Sequence, residues 1–310
     1  MTTTDVLILS ADADALAGAL QSRLPQNVRL HPCRDNTRLP TAAKSARVVL
    51  GAPDRLLEAL PRLPALQWAQ STLAGVTPLI DAPRRDYRLT GIKDLFDTAI
   101  SEYVLAWMLA LQRNVLQRAC ATQWDRTPDG SLAGKRVGIM GTGALGMAVA
   151  RRAAAFGVEL RGLNTRGTVE APFHDCYRSD ARLAFADGLD FVVALMPDTP
   201  ATGGLIDAAF LQALPQRAVV INAGRANAID HGALRSSAEA GHLGAAVLDV
   251  LPVEPLPADD PLWHTDGIYI TSHTAAPTET NAIAPLFVDN LKRFLAGETL
   301  RYEIDFTRGY

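Results

Sequence analysis

The chain has 310 residues, 48% hydrophobic and 20% charged, with a net charge of −3. That length exceeds what one hydrophobic core usually organises and predicts two domains. The near-neutral balance excludes the basic surface of a nucleic-acid or anionic-membrane binder. Lysine occurs only at Lys44, Lys93, Lys135 and Lys292, so the cations are nearly all arginine, which reads as compositional bias. Cys33, Cys120 and Cys176 fit neither a disulfide framework nor a metal-ligand spacing, which points to a reducing cytoplasm. No stretch approaches the roughly 18 apolar residues of a membrane span, and the N-terminal run lacks the basic region of a signal peptide. A soluble cytoplasmic protein is expected.

Residues 5–10 (DVLILS) and 47–51 (RVVLG) read as short strands followed by alanine-rich helical stretches, and 66–69 (LQWA) and 87–90 continue the alternation to about residue 97. Strands alternating with helical spacing predict a parallel sheet with crossover helices. From Ser101, SEYVLAWMLALQRNVLQRACATQW keeps helical spacing over many turns and reads as one long connecting helix, starting near Thr98 or Ser101. After the turn-rich Thr127-Pro128-Asp129-Gly130 a larger series begins. Its strands are expected at 136–140, 159–163, 190–194, 218–222, 245–249 and 268–271, the pattern of a doubly wound sheet. A last helix is expected over 280–296.

Gly141-Thr142-Gly143-Ala144-Leu145-Gly146 follows the strand VGIM and precedes a helical segment. In that setting the first glycine permits a tight turn, the second lets backbone approach a pyrophosphate, and the third allows close helix–strand packing. The helix N-terminus adds unpaired N–H groups. Dinucleotide binding is therefore expected. The next strand ends in Asn164-Thr165-Arg166, eighteen positions after Gly146, where an NAD-preferring site carries an acidic residue. No carboxylate stands there to repel a 2′-phosphate, and Arg166 offers a planar fork to bind one. NADP(H) is favoured, with NAD(H) left open.

Three later segments each place a reactive side chain just past a predicted strand, the edge where open parallel sheets bind ligands. VVINAGR ends at Arg225, AVLDVLPVEPLP holds Asp249 and Glu254, and IYITSHTAAP holds His273. Reduction of a keto acid needs an anchor for the carboxylate and a polariser for the carbonyl, which an arginine supplies. It also needs a proton donor, which a histidine supplies, and a carboxylate beside a histidine favours the charged ring. The remaining histidines, His31, His174, His231, His242 and His264, read as satisfied structural residues.

With these residues in place, the chain resembles the D-isomer-specific 2-hydroxyacid dehydrogenase family, and within it the glyoxylate/hydroxypyruvate reductase branch. The likeness runs through LQWAQSTLAGVTPL, SEYVLAWMLALQR, GKRVGIMGTGALG, LMPDTPATGGLID, INAGRANAID, LDVLPVEPLP, DPLW, TSHTAAP and LKRFLAGETLRYEIDFTRGY. The resemblance implies Arg225 on the substrate carboxylate and keto oxygen, Glu254 paired with His273, and His273 as acid/base. It implies cofactor contacts from Pro197, Ala223 and Gly224, with Asp249 on the nicotinamide carboxamide. It also implies that Leu73, Ala74 and Gly75 offer backbone N–H groups to the substrate. Two doubly wound Rossmann-like and flavodoxin-like α/β domains follow, with the active site in a cleft between them. The substrate domain would be discontinuous (1–97 with 277–310), the dinucleotide-binding domain would span 98–276, and the protein would be a homodimer.

The chain departs from the family pattern at Ala226 for glycine, Ser272 for proline, Thr77 for an acidic residue and Leu73 for the tryptophan of close reductases. The first two read as innocuous; the last two leave the choice of 2-keto acid open. Glu254 argues against formate dehydrogenase, which carries glutamine. A phosphoglycerate dehydrogenase-like enzyme and an NAD(H)-sensing corepressor-like binding protein are the alternative readings.

Overall fold

The computed structural model of the chain describes residues 3–93, 95–277 and 280–307; the last three residues of the family-like C-terminal motif, 308–310, lie outside these. The described residues divide into two compact units, one of residues 3–93 and 95 with 280–307, the other of Phe96–Pro277.

The first unit opens with β1 (Thr4–Leu9), α1 (Ala13–Gln21), β2 (Val28–Cys33), β3 (Val48–Gly51), α2 (Pro53–Ala59), β4 (Trp68–Ser71), α3 (Thr77–Ile80) and β5 (Arg88–Thr90). Its five parallel strands take the order β2-β1-β3-β4-β5, the flavodoxin-like arrangement. Alternate side chains of the inner strands point to opposite faces. Val6, Ile8, Val48 and Leu50 fill one core with Leu16 and Leu20, whereas Leu7, Leu9 and Val49 fill the other with Leu56 and Leu60. β2 escapes the sequence reading because VRLHPC is polar and contains Pro32. It lies at the sheet edge, where a missing N–H costs no ladder bond.

The second unit starts with α4 (Asp97–Gln112) and α5 (Val115–Ala119). The single helix expected through residue 124 therefore breaks, at Asn114, which is left-handed with φ 48°. α4 buries Ile100, Val104 and Met108 on one face, but α5 buries nothing, so its apolar residues gain too little packing to continue the helix. There follow β6 (Arg136–Met140), α6 (Ala144–Ala154), β7 (Glu159–Leu163), β8 (Asp175–Tyr177), α7 (Arg182–Ala186), β9 (Phe191–Ala194), α8 (Ala208–Ala213), β10 (Val219–Asn222), α9 (His231–Glu239), β11 (Ala245–Leu248) and β12 (Ile268–Ile270). All seven strands are parallel in the order β12-β11-β10-β9-β6-β7-β8, a doubly wound sheet whose direction of winding reverses between β6 and β9. β8, three residues long at the edge, had no legible sequence signal.

The chain returns to the first unit with α10 (Thr280–Ala296). Ile283, Phe287 and Leu291 pack on Val6, Ile8 and Trp68, and Trp68 stacks on Phe287 with ring centroids 5.3 Å apart. Buried Asn290 donates to Gln70 Oε1 at 3.0 Å and accepts from Arg301 N at 2.7 Å, which satisfies polar groups that burial alone would penalise. Among the described residues no helix is long and apolar enough to cross a membrane.

Candidate active site

The second unit gathers its chemistry at the C-terminal ends of its strands, around the reversal point. Gly141 follows β6 with φ 97°, a conformation that favours glycine. A side chain on it would press on the Leu195 carbonyl at 3.0 Å, and one on Gly146 would run into the Gly141 carbonyl. Gly143 caps α6, and a Cβ there would meet nothing within 4 Å. The first and third glycines are thus required by packing, while the second leaves open backbone at a helix N-terminus, which suits a bound phosphate. This cradle fits a dinucleotide. Pro197 follows β9, and Ala223 and Gly224 follow β10; a Cβ on Gly224 would meet Ala194, Leu195 and Met196 backbone at 3.0 Å.

At the end of β7, Asn164 builds the turn. Its Oδ1 accepts from Arg166 N at 3.0 Å and Gly167 N at 2.6 Å, while its Nδ2 donates to Thr142 Oγ1 and Thr168 O, both at 3.0 Å. Thr165 and Arg166 stand exposed on this turn. Arg178, which the sequence reading missed, crosses the same turn: a Cβ on Gly167 would touch its Cγ at 3.0 Å.

Arg225 follows β10 on a turn organised by buried Asn222, whose Nδ2 donates to Arg225 O at 3.0 Å and whose Oδ1 accepts from Gly224 N at 3.1 Å. Burial pushes the Arg225 guanidinium down from its ordinary value, against the charges of Asp198 and Glu254. On the loop after β11, Glu254 Oε1 accepts from Leu251 N at 2.9 Å and Oε2 lies 2.8 Å from His273 Nδ1. Burial raises the Glu254 carboxyl, but the bonds from His273 and Leu251, with the charges of His273 and Arg225, outweigh it and leave it below the ordinary carboxylate value. The structure therefore brings Arg225, Glu254 and His273 to one edge of the sheet.

Asp249, directly after β11, is 2% exposed. Its Oδ1 accepts from Thr271 Oγ1 (2.6 Å), Thr274 N (2.8 Å) and Ala275 N (3.1 Å), and its Oδ2 from Ala275 N (3.0 Å). Asn222, within INAGR, and Thr271, two residues before His273, support Arg225 and Asp249 through hydrogen bonds that sequence spacing does not show.

In the first unit, Leu73, Ala74 and Gly75 follow β4. Leu73 is 42% exposed, and its N–H donates to Ser71 Oγ at 3.0 Å, so this donor is already engaged. Of the other histidines, His31 pairs with Asp5 at 2.8 Å, His174 Nδ1 accepts from Leu160 N, and His242 bonds Leu211 O. His231 differs: its Nε2 is buried without a hydrogen-bond partner. A cavity of about 390 Å³, lined by Leu116, Gln117, Arg217, Gly244 and Tyr269 among others, opens at the opposite, N-terminal ends of the strands, where no candidate catalytic group lies. Among the described residues no cluster of three or more His, Cys, Asp or Glu could hold a metal.

The family model for the D-isomer specific 2-hydroxyacid dehydrogenase NAD binding domain matches residues 105–275. The chain belongs to that family. A solved family member from Aeromonas salmonicida is 34% identical with a TM-score of 0.93, covering 98% of this chain and 100% of its own. The NADPH-dependent glyoxylate/hydroxypyruvate reductase of Sinorhizobium meliloti, solved with NADP and sulfate, is 27% identical with a TM-score of 0.88, covering 99% and 100%. Glyoxylate/hydroxypyruvate reductase A of Serratia proteamaculans is 33% identical over 174 residues, 56% of each chain, so the match spans little more than half the length of that relative.

Proposed function

We propose that this protein reduces a short 2-keto acid of the glyoxylate or hydroxypyruvate type to the D-2-hydroxy acid, with NADPH favoured over NADH. The observation that carries the reading is the 2.8 Å His273–Glu254 pair, at the strand edge that also bears Arg225.

Gly141 to Gly146 would hold the pyrophosphate, and Asn164, Thr165 and Arg166, with Arg178 beside them, the ribose 2′-phosphate. Pro197, Ala223, Gly224 and Asp249 would line the rest of the cofactor site. When bound, the nicotinamide supplies the hydride. Arg225 binds the substrate carboxylate and polarises its keto oxygen, placing positive charge where negative charge develops. Its partial burial strengthens that effect, because fewer waters screen the guanidinium. Glu254 fixes the ring of His273 through Nδ1, which leaves Nε2 to hand a proton to the carbonyl oxygen as the alcohol forms. In the reverse direction the same nitrogen takes the proton back.

Absorbance assays with NADPH and NADH in parallel test the reading, offering glyoxylate, hydroxypyruvate, pyruvate and phenylpyruvate. Oxidation of NADPH with one of the first two supports it. Turnover with NADH alone would keep the acid/base assignment and discard the cofactor preference. Silence across the panel with cofactor bound would mean a cofactor sensor. A homodimer is part of the proposal, supported by the resemblance and by the exposed Val115, Leu116 and Trp124, the last 87% exposed. A cytoplasmic location completes it, supported by the three unpaired cysteines.

A further inference from the structure

His273 is held in an unusual backbone. Ser272 and His273 are both left-handed, with φ 56° and 57°, a region that residues with a Cβ rarely adopt and that persists only where surrounding structure imposes it. The imposing structure is visible. The N–H groups of three consecutive residues, His273, Thr274 and Ala275, all end on Asp249: on its backbone carbonyl at 2.7 Å, on Oδ1 at 2.8 Å, and on both carboxylate oxygens at 3.0–3.1 Å.

A second layer stands behind Asp249. Thr271 gives its hydroxyl proton to Asp249 Oδ1 at 2.6 Å, and a hydroxyl has one proton to give. The contact of 2.7 Å between Thr271 Oγ1 and Tyr103 Oη is therefore donated by Tyr103. Burial, together with the Asp249 charge, pushes the Tyr103 phenol up to about 12, so it keeps that proton at neutral pH. Tyr103 sits on α4, edge-on to Trp107, which packs on Tyr269 of β12 with ring centroids 5.2 Å apart. The helix thus reaches the strand that leads into the histidine loop through both a ring contact and a hydrogen bond.

Ser272 also changes meaning. Proline fixes φ near −65° and cannot adopt the +56° that Ser272 takes here. The exchange of proline for serine is not innocuous in this chain: a proline at 272 could not keep the backbone that leads into His273.

We propose that Tyr103, Thr271 and Asp249 form a directed hydrogen-bond chain that holds Ser272 and His273 in their left-handed backbone and so sets His273 Nδ1 against Glu254. Tyr103 and Thr271 are positioning residues that act through Asp249. The inference builds on the acid/base reading of His273 given above.

The test uses the full chain with Thr271→Val, Thr271→Ser, Tyr103→Phe, Ser272→Pro and Ser272→Gly. Steady-state reduction of glyoxylate and NADPH binding by fluorescence are measured for each. Thr271→Val should lower kcat by about 10- to 100-fold, with the substrate KM and cofactor Kd moving less than about threefold, and Thr271→Ser should recover most of the loss. Tyr103→Phe should show the same signature with a smaller fall, on the order of three- to tenfold. Ser272→Gly should stay active and Ser272→Pro should not. Unchanged kcat in Thr271→Val overturns the proposal, as does a fall that Ser does not rescue or that follows loss of cofactor binding. If Ser272→Pro fails to fold, the Thr271 pair alone decides.

Should the wild type turn over no 2-keto acid, the functional reading fails while the inference is still decided by NMR of the His273 ring. A hydrogen-bonded Nδ1 proton present in wild type and Thr271→Ser but absent in Thr271→Val supports the chain. The same signal in all three overturns it.

Discussion

Glu254 is held at both of its oxygens, Oε2 by His273 Nδ1 at 2.8 Å and Oε1 by the N–H of Leu251 at 2.9 Å. A carboxylate fixed twice cannot swing away from the ring, so the orientation of His273 follows from the backbone after β11 and does not depend on a mobile side chain. With Nδ1 committed, Nε2 is the ring nitrogen left for the proposed proton transfer.

The first consequence concerns Arg225. Arg225→Ala should reduce kcat/KM for a 2-keto acid by at least about 100-fold, comparable to removing a donor from a developing oxyanion. NADPH affinity should hold within a few-fold. Arg225→Lys should recover little, because a point charge cannot reproduce a planar fork. Titration of cofactor fluorescence beside steady-state kinetics checks both parts; near-normal kcat/KM in the alanine variant would remove the central claim.

Glu254→Gln should lower kcat by roughly 10²- to 10⁴-fold, the range for disrupting an acid/base group. It also carries a pH signature. The Glu254 carboxyl lies below its ordinary value of 4.5 in the folded protein. A depressed carboxyl contributes stability that is fully present above the unfolded value and disappears as pH falls through the folded one. The melting advantage of wild type over Glu254→Gln should therefore be steady near neutrality and shrink below about pH 4.5. An advantage that widens on acidification contradicts the assignment.

Gly146→Ala places a methyl group against the Gly141 carbonyl. Neither backbone segment can move freely, so the variant should lose about 1–3 kcal/mol of stability and bind NADPH weakly. Gly143→Ala meets open space in the free protein, so it should fold normally and lose cofactor affinity alone. Thermal melts and cofactor titration of the two variants separate packing from binding.

Arg166→Ala should raise the KM for NADPH by about 10-fold, corresponding to one charge-assisted bond to a phosphate, while the KM for NADH stays within twofold or so. Equal effects on both cofactors would show that Arg166 shapes the turn instead of reading the 2′-phosphate.

Elements whose signals are local were legible in the residues alone. Short apolar runs marked most of the strands, because a strand buried on both faces must be apolar at every position; Phe191–Ala194, Val219–Asn222 and Ala245–Leu248 are buried throughout. The glycine turn, whose steric demands fix residue type, was legible too, as were the reactive side chains, because their order past successive strands is a one-dimensional pattern. Tertiary structure alone decided where local signals were weak or absent. The polar edge strand Val28–Cys33 and the three-residue Asp175–Tyr177 exist because a neighbouring strand offers them a ladder. The helix through residue 124 stopped at Asn114 because the apolar residues beyond found no partner. The bracing of His273 was least legible of all. Tyr103, Thr271 and Asp249 lie up to 168 positions apart, and a hydrogen bond depends on a few tenths of an ångström in space, a quantity that spacing along a chain does not encode.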